Sequence, residues 1–198
     1  VMAGYWKNPK ATADTVIDGW LHTGDMGYIC PWDPEFLYVV GRFKSLLISS
    51  DGEKYSPEGF EDSLPEVSKF VSQVVLHNNQ NPYTVVLIVP EKEALAEYVK
   101  KQGLNPQSHD GKVAMLQKIQ SEIDSYRTGG VNAAISPDRW LPAAVVICDE
   151  PFTIANKMMN STMKMVRGKV EEHYADRIAY AYTPEGKQLL NEKNIASI

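Results

Sequence analysis

The chain has 198 residues, of which 43% are hydrophobic and 23% are charged, a composition typical of a globular protein with one or two domains. Its formal net charge of -5 gives no indication of nucleic-acid binding, and no apolar run approaches the roughly 20 residues of a membrane span. Cys30 and Cys148 lack CxxC partners, which supports neither a zinc site nor a disulfide framework. Reduced thiols and a cytoplasmic location are therefore expected.

The first structural signal is a short helix predicted from Lys10 to Val16, followed by a turn at Asp18-Gly19. Next, the run GWLHTGDMGY interrupts its aromatic residues with the small and polar Thr23-Gly24-Asp25. Thr and Gly allow a tight turn, which leaves Asp25 as an acceptor for a pair of donors, such as the hydroxyls of a ribose. A plain turn without a ligand is the alternative, and this stretch alone favours it.

Two short strands are predicted next, at Phe36 to Val40 and at Leu46 to Ile48. The segment from Ser49 to Gly52 has the composition of a loop. A helix begins near Pro57, and it is expected to end before Pro65 because the residue preceding a proline disfavours helical geometry.

The remaining chain predicts an α+β domain in which a three-stranded sheet is flanked by helices and is preceded by a short β-hairpin. The three predicted strands are Val74–Leu76, Thr84–Val89 and Ala143–Cys148, the first two forming an antiparallel pair. The predicted helices run from Pro90 to Gly103, from Lys112 to Tyr126, and from Met165 to about Asp176.

Three segments carry the polar residues that suggest chemistry: Thr23-Gly24-Asp25, Gly41 to Glu61, and Asn156 to Lys169. Each segment alone is a weak signal. In this order, they resemble the carboxyl-terminal part of the adenylate-forming superfamily, which includes acyl-CoA synthetases, luciferases and the adenylation domains of peptide synthetases. The resemblance extends from Val1 to about Lys169, and the long helical insert after Val89 favours the acyl-CoA branch.

The resemblance implies a role for each matching residue. Asp25 corresponds to the ligand of the ribose of ATP or AMP, and Arg42 to an arginine that contacts the nucleotide. Lys44 corresponds to the hinge between the two domains, where lysine resembles the long-chain fatty acyl-CoA ligases. Gly52 corresponds to the loop that lines the pantetheine tunnel for CoA, and Glu61 to a structural acid.

Lys164 corresponds to the catalytic lysine of adenylation, and Lys169 is its rival because Gly168-Lys169 imitates the commoner Gly-Lys ending. A mobile lysine suits a step in which a carboxylate meets the α-phosphate of ATP and negative charge accumulates. The interval from Lys157 to Lys169 contains four basic residues and no acid. A solvated basic loop is the alternative reading of that interval.

The sequence departs from the family pattern at three positions. Ser45 stands where an acidic residue is usual, Asp51 where a second glycine often precedes Gly52, and Met163 where many relatives have glycine.

The resemblance implies three parts: residues 1–40 as the tail of a large amino-terminal domain, 41–45 as the hinge, and 46–198 as the mobile carboxyl-terminal domain. The whole enzyme would activate a fatty acid or another carboxylic acid with Mg-ATP and transfer the acyl group to CoA. The phosphate loop, the acyl pocket and most of the Mg²⁺ site would lie upstream, so the chain alone is expected to be inactive. Peripheral membrane contact is left open.

Two other functions remain open. The first is an adenylation module that loads a carrier protein, and the second is a regulatory or interaction domain that kept the fold and lost catalysis. A hydrolase and a P-loop nucleotide site are not favoured, because neither G-x-S-x-G nor G-x-x-x-x-G-K occurs.

Overall fold

The computed structural model describes residues 2–198 and divides them into two compact units. The first unit ends at Leu46, and the second is Leu47–Ile198. Val1, where the resemblance begins, lies outside the described residues.

The first unit consists of a helix and two hairpins. Its elements are α1 (Pro9–Thr15), β1 (Val16–Ile17), β2 (Trp20–Leu21), β3 (Asp25–Cys30) and β4 (Asp33–Arg42). Strands β1 and β2 pair across Asp18 and Gly19, whose φ values of 50° and 81° are those of a tight hairpin turn. Strands β3 and β4 form the antiparallel hairpin expected before the hinge.

A three-stranded sheet forms the centre of the second unit. Strand β9 (Val85–Pro90) lies in the middle, antiparallel to β7 (Val71–His77) and parallel to β10 (Ala144–Ile147). A second small sheet contains β5 (Leu47–Ser49), β6 (Lys54–Tyr55) and β8 (Asn79–Asn81).

Six helices complete the second unit. They are α2 (Glu58–Val67), α3 (Lys92–Lys101), α4 (His109–Asp124), α5 (Arg167–His173), α6 (Ala175–Ala181) and α7 (Glu192–Ser197).

The central sheet has two buried faces, which explains why its strands read as continuous apolar runs. Val86 and Ile88 of β9 belong to a core with residues of α2, α3 and α4. Val85 and Leu87 point to the opposite face and belong to a core with residues of α5 and α6. The predicted α+β fold, with a three-stranded sheet between helices, is confirmed.

Three predicted helix boundaries are wrong, the first being the start of α4, which lies at His109 rather than Lys112. Helix α2 continues through Pro65 to Val67, because the proline lies in the last turn, where it removes few backbone bonds, and Leu64 beside it is fully buried. Pro90 ends strand β9, opposite Val71, and helix α3 begins only at Lys92.

The carboxyl-terminal tail is more helical than predicted. The expected helix from Met165 to Asp176 is two helices, α5 and α6, and the later helix α7 has no counterpart in the prediction. Asn194 of α7 is almost fully buried and accepts a hydrogen bond from the backbone nitrogen of Ile147 at 3.0 Å.

Both cysteines are free and buried, Cys30 in the first unit and Cys148 in the second. Burial raises the pKa of the Cys148 thiol to about 12, so this group has little thiolate at neutral pH. Within residues 2–198, no helix is both long and apolar enough to cross a membrane.

Candidate functional site

Asp25 and Arg42 lie directly opposite each other where β3 begins and β4 ends. The Arg42 guanidinium Nε lies 3.2 Å from Asp25 Oδ1, and both side chains remain partly exposed. Gly24, with a φ of 77°, makes the turn before Asp25, and its carbonyl accepts a hydrogen bond from the backbone nitrogen of Phe43 at 2.8 Å. The structure therefore brings together the two residues that the sequence assigns to nucleotide binding.

This pair offers complementary chemistry on one exposed hairpin end. The Asp25 carboxylate accepts hydrogen bonds from hydroxyl groups, whereas the planar Arg42 guanidinium donates several bonds and carries a positive charge. A ribose carrying a phosphate matches both groups.

Lys44 lies in a 3-10 helical turn formed by Phe43–Ser45, and its side chain is exposed. The division between the two units falls after Leu46, two residues beyond Lys44. The role of Lys44 as a hinge stays a prediction.

Gly52 lies in the turn that connects β5 to β6. Its φ of 85° belongs to the left-handed region that favours glycine, and a Cβ placed there would meet no atom within 4 Å. The Asp51 carboxylate accepts bonds from the Ser49 hydroxyl and from the backbone nitrogen of Glu53, the latter at 3.1 Å. Backbone conformation, rather than space, therefore requires glycine at position 52.

Lys164 lies on a tight turn whose organiser is Asn160. The Asn160 side-chain oxygen accepts hydrogen bonds from the Thr162 nitrogen, the Thr162 hydroxyl and the Lys164 nitrogen, at 3.0, 2.8 and 2.9 Å. An antiparallel bridge between Met159 and Met165 closes the base of the turn. The backbone of Lys164 is thus fixed while its side chain projects into solvent.

Met163 adopts a φ of 57° in this turn, in the left-handed region that a side chain other than glycine rarely occupies. Met163 is the residue that stands where the family pattern often has glycine. The geometry gives the reason for the pattern, since glycine reaches this conformation at the lowest cost.

The four basic residues of the interval 157–169 have different surroundings. Lys169 forms an ion pair with Glu172 at 2.7 Å on the surface of α5. Arg167 is largely buried, and its Nη2 lies 2.9 and 2.7 Å from the two carboxylate oxygens of Glu61. Within residues 2–198, neither Lys157 nor Lys164 has an acidic side chain as an ion-pair partner.

The Arg167–Glu61 pair connects the Lys164 turn to the rest of the unit. Arg167 Nη1 also donates to the carbonyl of Leu76 at 2.6 Å, and Glu61 accepts from the nitrogen of Leu76 at 2.6 Å. Burial raises the pKa of the Glu61 carboxyl, and the Arg167 charge opposes that shift. Glu61, which was expected to be a structural acid, thus binds Arg167, three residues after Lys164.

Sequence reasoning missed Asn160 as the organiser of the turn, although an asparagine two residues before a threonine is a recognisable side-chain turn signal. It also missed the contacts of Glu53, because their partners lie 86 and 87 residues away. In the part of the chain that the structure describes, no group of three or more His, Cys, Asp or Glu side chains is placed so that it could hold a metal ion.

Comparison with known proteins gives a consistent result. A family profile described as the AMP-binding enzyme C-terminal domain matches residues 44–186. A probable acyl-activating enzyme 16, chloroplastic, from Arabidopsis thaliana is 32% identical over 92% of this chain and 26% of its own length. A long-chain-fatty-acid–CoA ligase from Mycobacterium tuberculosis is 28% identical over 93% of this chain and 30% of its own. The chain thus spans less than a third of the length of these relatives.

Among solved structures, the chain is similar to the adenylation domain of a carboxylate reductase from Mycobacterium chelonae. The two superpose with a TM-score of 0.73 and 26% sequence identity, over 91% of this chain and 26% of that one.

Proposed function

Because the chain belongs to the family of AMP-binding enzyme C-terminal domains, we propose that it is the carboxyl-terminal part of an ATP-dependent fatty acyl-CoA ligase. The ligase converts a fatty acid to an acyl-adenylate with ATP, releasing pyrophosphate, and then transfers the acyl group to the thiol of CoA, releasing AMP. The similarity to a mycobacterial long-chain-fatty-acid–CoA ligase supports this substrate class.

The observation that carries the proposal is the geometry of Lys164. Its ammonium group is exposed and has no acidic partner among the described residues, while its backbone is fixed by Asn160. Such a group neutralises charge that accumulates on phosphoryl oxygens without first breaking an existing ion pair. Lys169 is already paired with Glu172, which makes it the weaker candidate.

The other predicted residues have distinct roles in this proposal. Asp25 accepts the ribose hydroxyls, and Arg42 beside it contacts the nucleotide phosphate. The Gly52 turn lines the path of the CoA pantetheine. Lys44 is the hinge about which the carboxyl-terminal domain rotates, so that Lys164 faces the substrates in the first half-reaction and Gly52 faces them in the second. ATP, CoA and the carboxylic acid are therefore substrates shared with an amino-terminal domain of the same protein.

An exposed apolar surface on the β3–β4 hairpin supports the proposal of a larger protein. Ile29, Leu37 and Val39 are each more than 60% exposed. A contiguous apolar patch of this kind is the usual mark of an interface. We propose that the amino-terminal domain of the same protein packs against this apolar patch.

The direct test is product formation by the full-length protein. Purified protein is incubated with ATP, Mg²⁺, palmitate and either CoA or a phosphopantetheinylated carrier protein, and the acyl products are identified by mass spectrometry. We expect palmitoyl-CoA, with the chain of 198 residues alone giving none because half of the site is absent. Acylation of the carrier protein without acyl-CoA would replace the proposal with the carrier-loading function, and no acyl product would refute both.

The left-handed conformation of Met163 yields a further prediction. Met163→Gly in the full-length protein should leave adenylation within about twofold of the original rate, since glycine accepts this φ without strain. Met163→Val should lower adenylation about tenfold, because a β-branched residue disfavours this conformation and displaces Lys164. Pyrophosphate exchange measures both rates. Equal rates in the two variants would show that the turn conformation does not position Lys164.

A further inference from the structure

The turn that carries Gly52 belongs to the small sheet in which β5 pairs with both β6 and β8, and local hydrogen bonds of Ser49 and Asp51 close it. Strands β5 and β6 share only two paired positions, Leu47 with Tyr55 and Ile48 with Lys54. The hydrogen bonds of Ser49 and Asp51 order the turn internally. A contact from outside the sheet also fixes the turn relative to the rest of the unit.

Glu53, the residue after Gly52, supplies that contact. Its carboxylate accepts two hydrogen bonds from the Arg139 guanidinium, at 2.9 and 2.6 Å, and one from the Trp140 indole nitrogen at 3.2 Å. The two partners belong to a 3-10 helical turn, Asp138–Trp140, that precedes β10. We refer to Glu53, Arg139 and Trp140 together as the brace.

The brace is itself attached to ordered parts of the unit. The Trp140 ring stacks on the Tyr55 ring, with centroids 5.3 Å apart and planes 12° apart. Tyr55 is buried, and its hydroxyl lies 2.5 Å from the Thr84 hydroxyl, next to the first residue of β9. On the other side, the Asp138 carboxylate accepts a hydrogen bond from the Thr128 nitrogen at 2.9 Å. The Gly52 turn is therefore connected to the central sheet through Trp140, Tyr55 and Thr84.

The exposure and geometry of the Arg139–Glu53 pair indicate that it orients the Gly52 turn rather than stabilising the fold. The Arg139 and Glu53 side chains are 65% and 32% exposed, and exposed ion pairs contribute little to the free energy of unfolding. A planar fork with a third donor, however, fixes the orientation of the carboxylate and of the backbone that carries it. The hydrogen bonds from Arg139 and Trp140 also lower the pKa of Glu53, which keeps the carboxylate charged at neutral pH.

We propose that Arg139 and Glu53 are positioning residues for thioester formation, holding the Gly52 turn in the geometry that the CoA thiol requires. The inference rests on the proposed function, because it assigns the Gly52 turn to the second half-reaction. In this proposal the Asp138–Trp140 turn influences catalysis through its hold on Glu53.

The test compares the two half-reactions in the full-length ligase. Glu53→Ala and Arg139→Ala should each lower the rate of acyl-CoA formation from preformed palmitoyl-adenylate and CoA by about tenfold to a hundredfold. Pyrophosphate exchange with palmitate should stay within about twofold. The double variant should be no slower than either single variant, because the two residues act through each other.

Two further variants serve as controls. Glu172→Ala removes a carboxylate from another exposed ion pair and should change neither half-reaction. Arg139→Lys keeps the charge and loses the fork, so an intermediate rate is expected. If Arg139→Ala does not fold, Arg139→Lys still tests the proposal.

A readout that requires no turnover separates the brace from the proposed function. Amide hydrogen exchange at residues 50–53 should accelerate in Arg139→Ala and stay unchanged in Glu172→Ala. Faster exchange in an enzyme with no acyl-CoA activity would refute the proposed function and leave a purely structural brace. Unchanged exchange, a parallel fall of both half-reactions, or additive losses in the double variant would overturn the inference.

Discussion

Replacing Lys164 with alanine should lower the rate of adenylate formation about 10²- to 10³-fold, or by about 3 to 4 kcal/mol in transition-state stabilisation. The loss arises because Lys164 is exposed and unpaired within the described residues, so its charge is available to the reacting carboxylate and phosphate. Stability should hardly change, since the side chain makes no buried contact. Pyrophosphate exchange and denaturant unfolding measure these two quantities.

The matched comparison is Lys169→Ala, five residues away in the same basic segment. Lys169 is paired with Glu172 on the surface, and its loss should leave adenylation within about twofold. Lys164→Ala supplied with preformed acyl-adenylate should still make acyl-CoA. The opposite pattern, in which Lys169→Ala abolishes adenylation and Lys164→Ala does not, would show that the catalytic lysine is Lys169.

Arg167→Ala should destabilise the chain by about 3 to 5 kcal/mol, because it leaves the Glu61 carboxylate buried without its ion-pair partner. The same substitution releases the end of the Lys164 turn from α2 and from the Leu76 carbonyl. Adenylation should therefore fall even at temperatures where the protein stays folded. Denaturant unfolding gives the free energy, and pyrophosphate exchange at low temperature gives the rate.

The double variant Glu61→Leu/Arg167→Met separates the two effects. Replacing both members of a buried pair with apolar residues often leaves stability unchanged, so most of the loss should be recovered. If Arg167→Ala is as stable as the original chain, the pair does not hold the turn. If the double variant regains stability and adenylation remains low, Arg167 also orients Lys164.

The fold was predictable where the pattern depends on local sequence. The apolar runs at Val74–Leu76 and Thr84–Val89 predict the central strands because burial on both faces demands continuous β-branched residues. Helix ends were less predictable, since Pro65 is accommodated by the burial of Leu64, a tertiary effect. Helix α7 was missed because it has only six residues, and its anchors are tertiary: the hydrogen bonds of the buried Asn194, and Ile195 packed against the core.

In the candidate site, too, the residues with local motifs were predictable and the long-range contacts were not. Asp25 and Arg42 were identified separately by their motifs, and the structure adds the strand register that pairs them. Gly52 and Lys164 were likewise identified by resemblance. The contacts that connect these turns to the rest of the unit, from Arg139 and from Glu61 through Arg167, join residues far apart in sequence. A single sequence contains no local signal for such pairs.

The most direct test of the account is fatty-acid-dependent pyrophosphate exchange by the full-length protein, compared with a version that ends at Leu46 and so lacks the second unit. The account predicts exchange that requires both ATP and a fatty acid in the full-length protein. It also predicts a fall of at least about 10²-fold in the shortened one, because the shortened protein lacks Lys164. Exchange that persists undiminished without residues 47–198, or that never responds to a fatty acid, would contradict it.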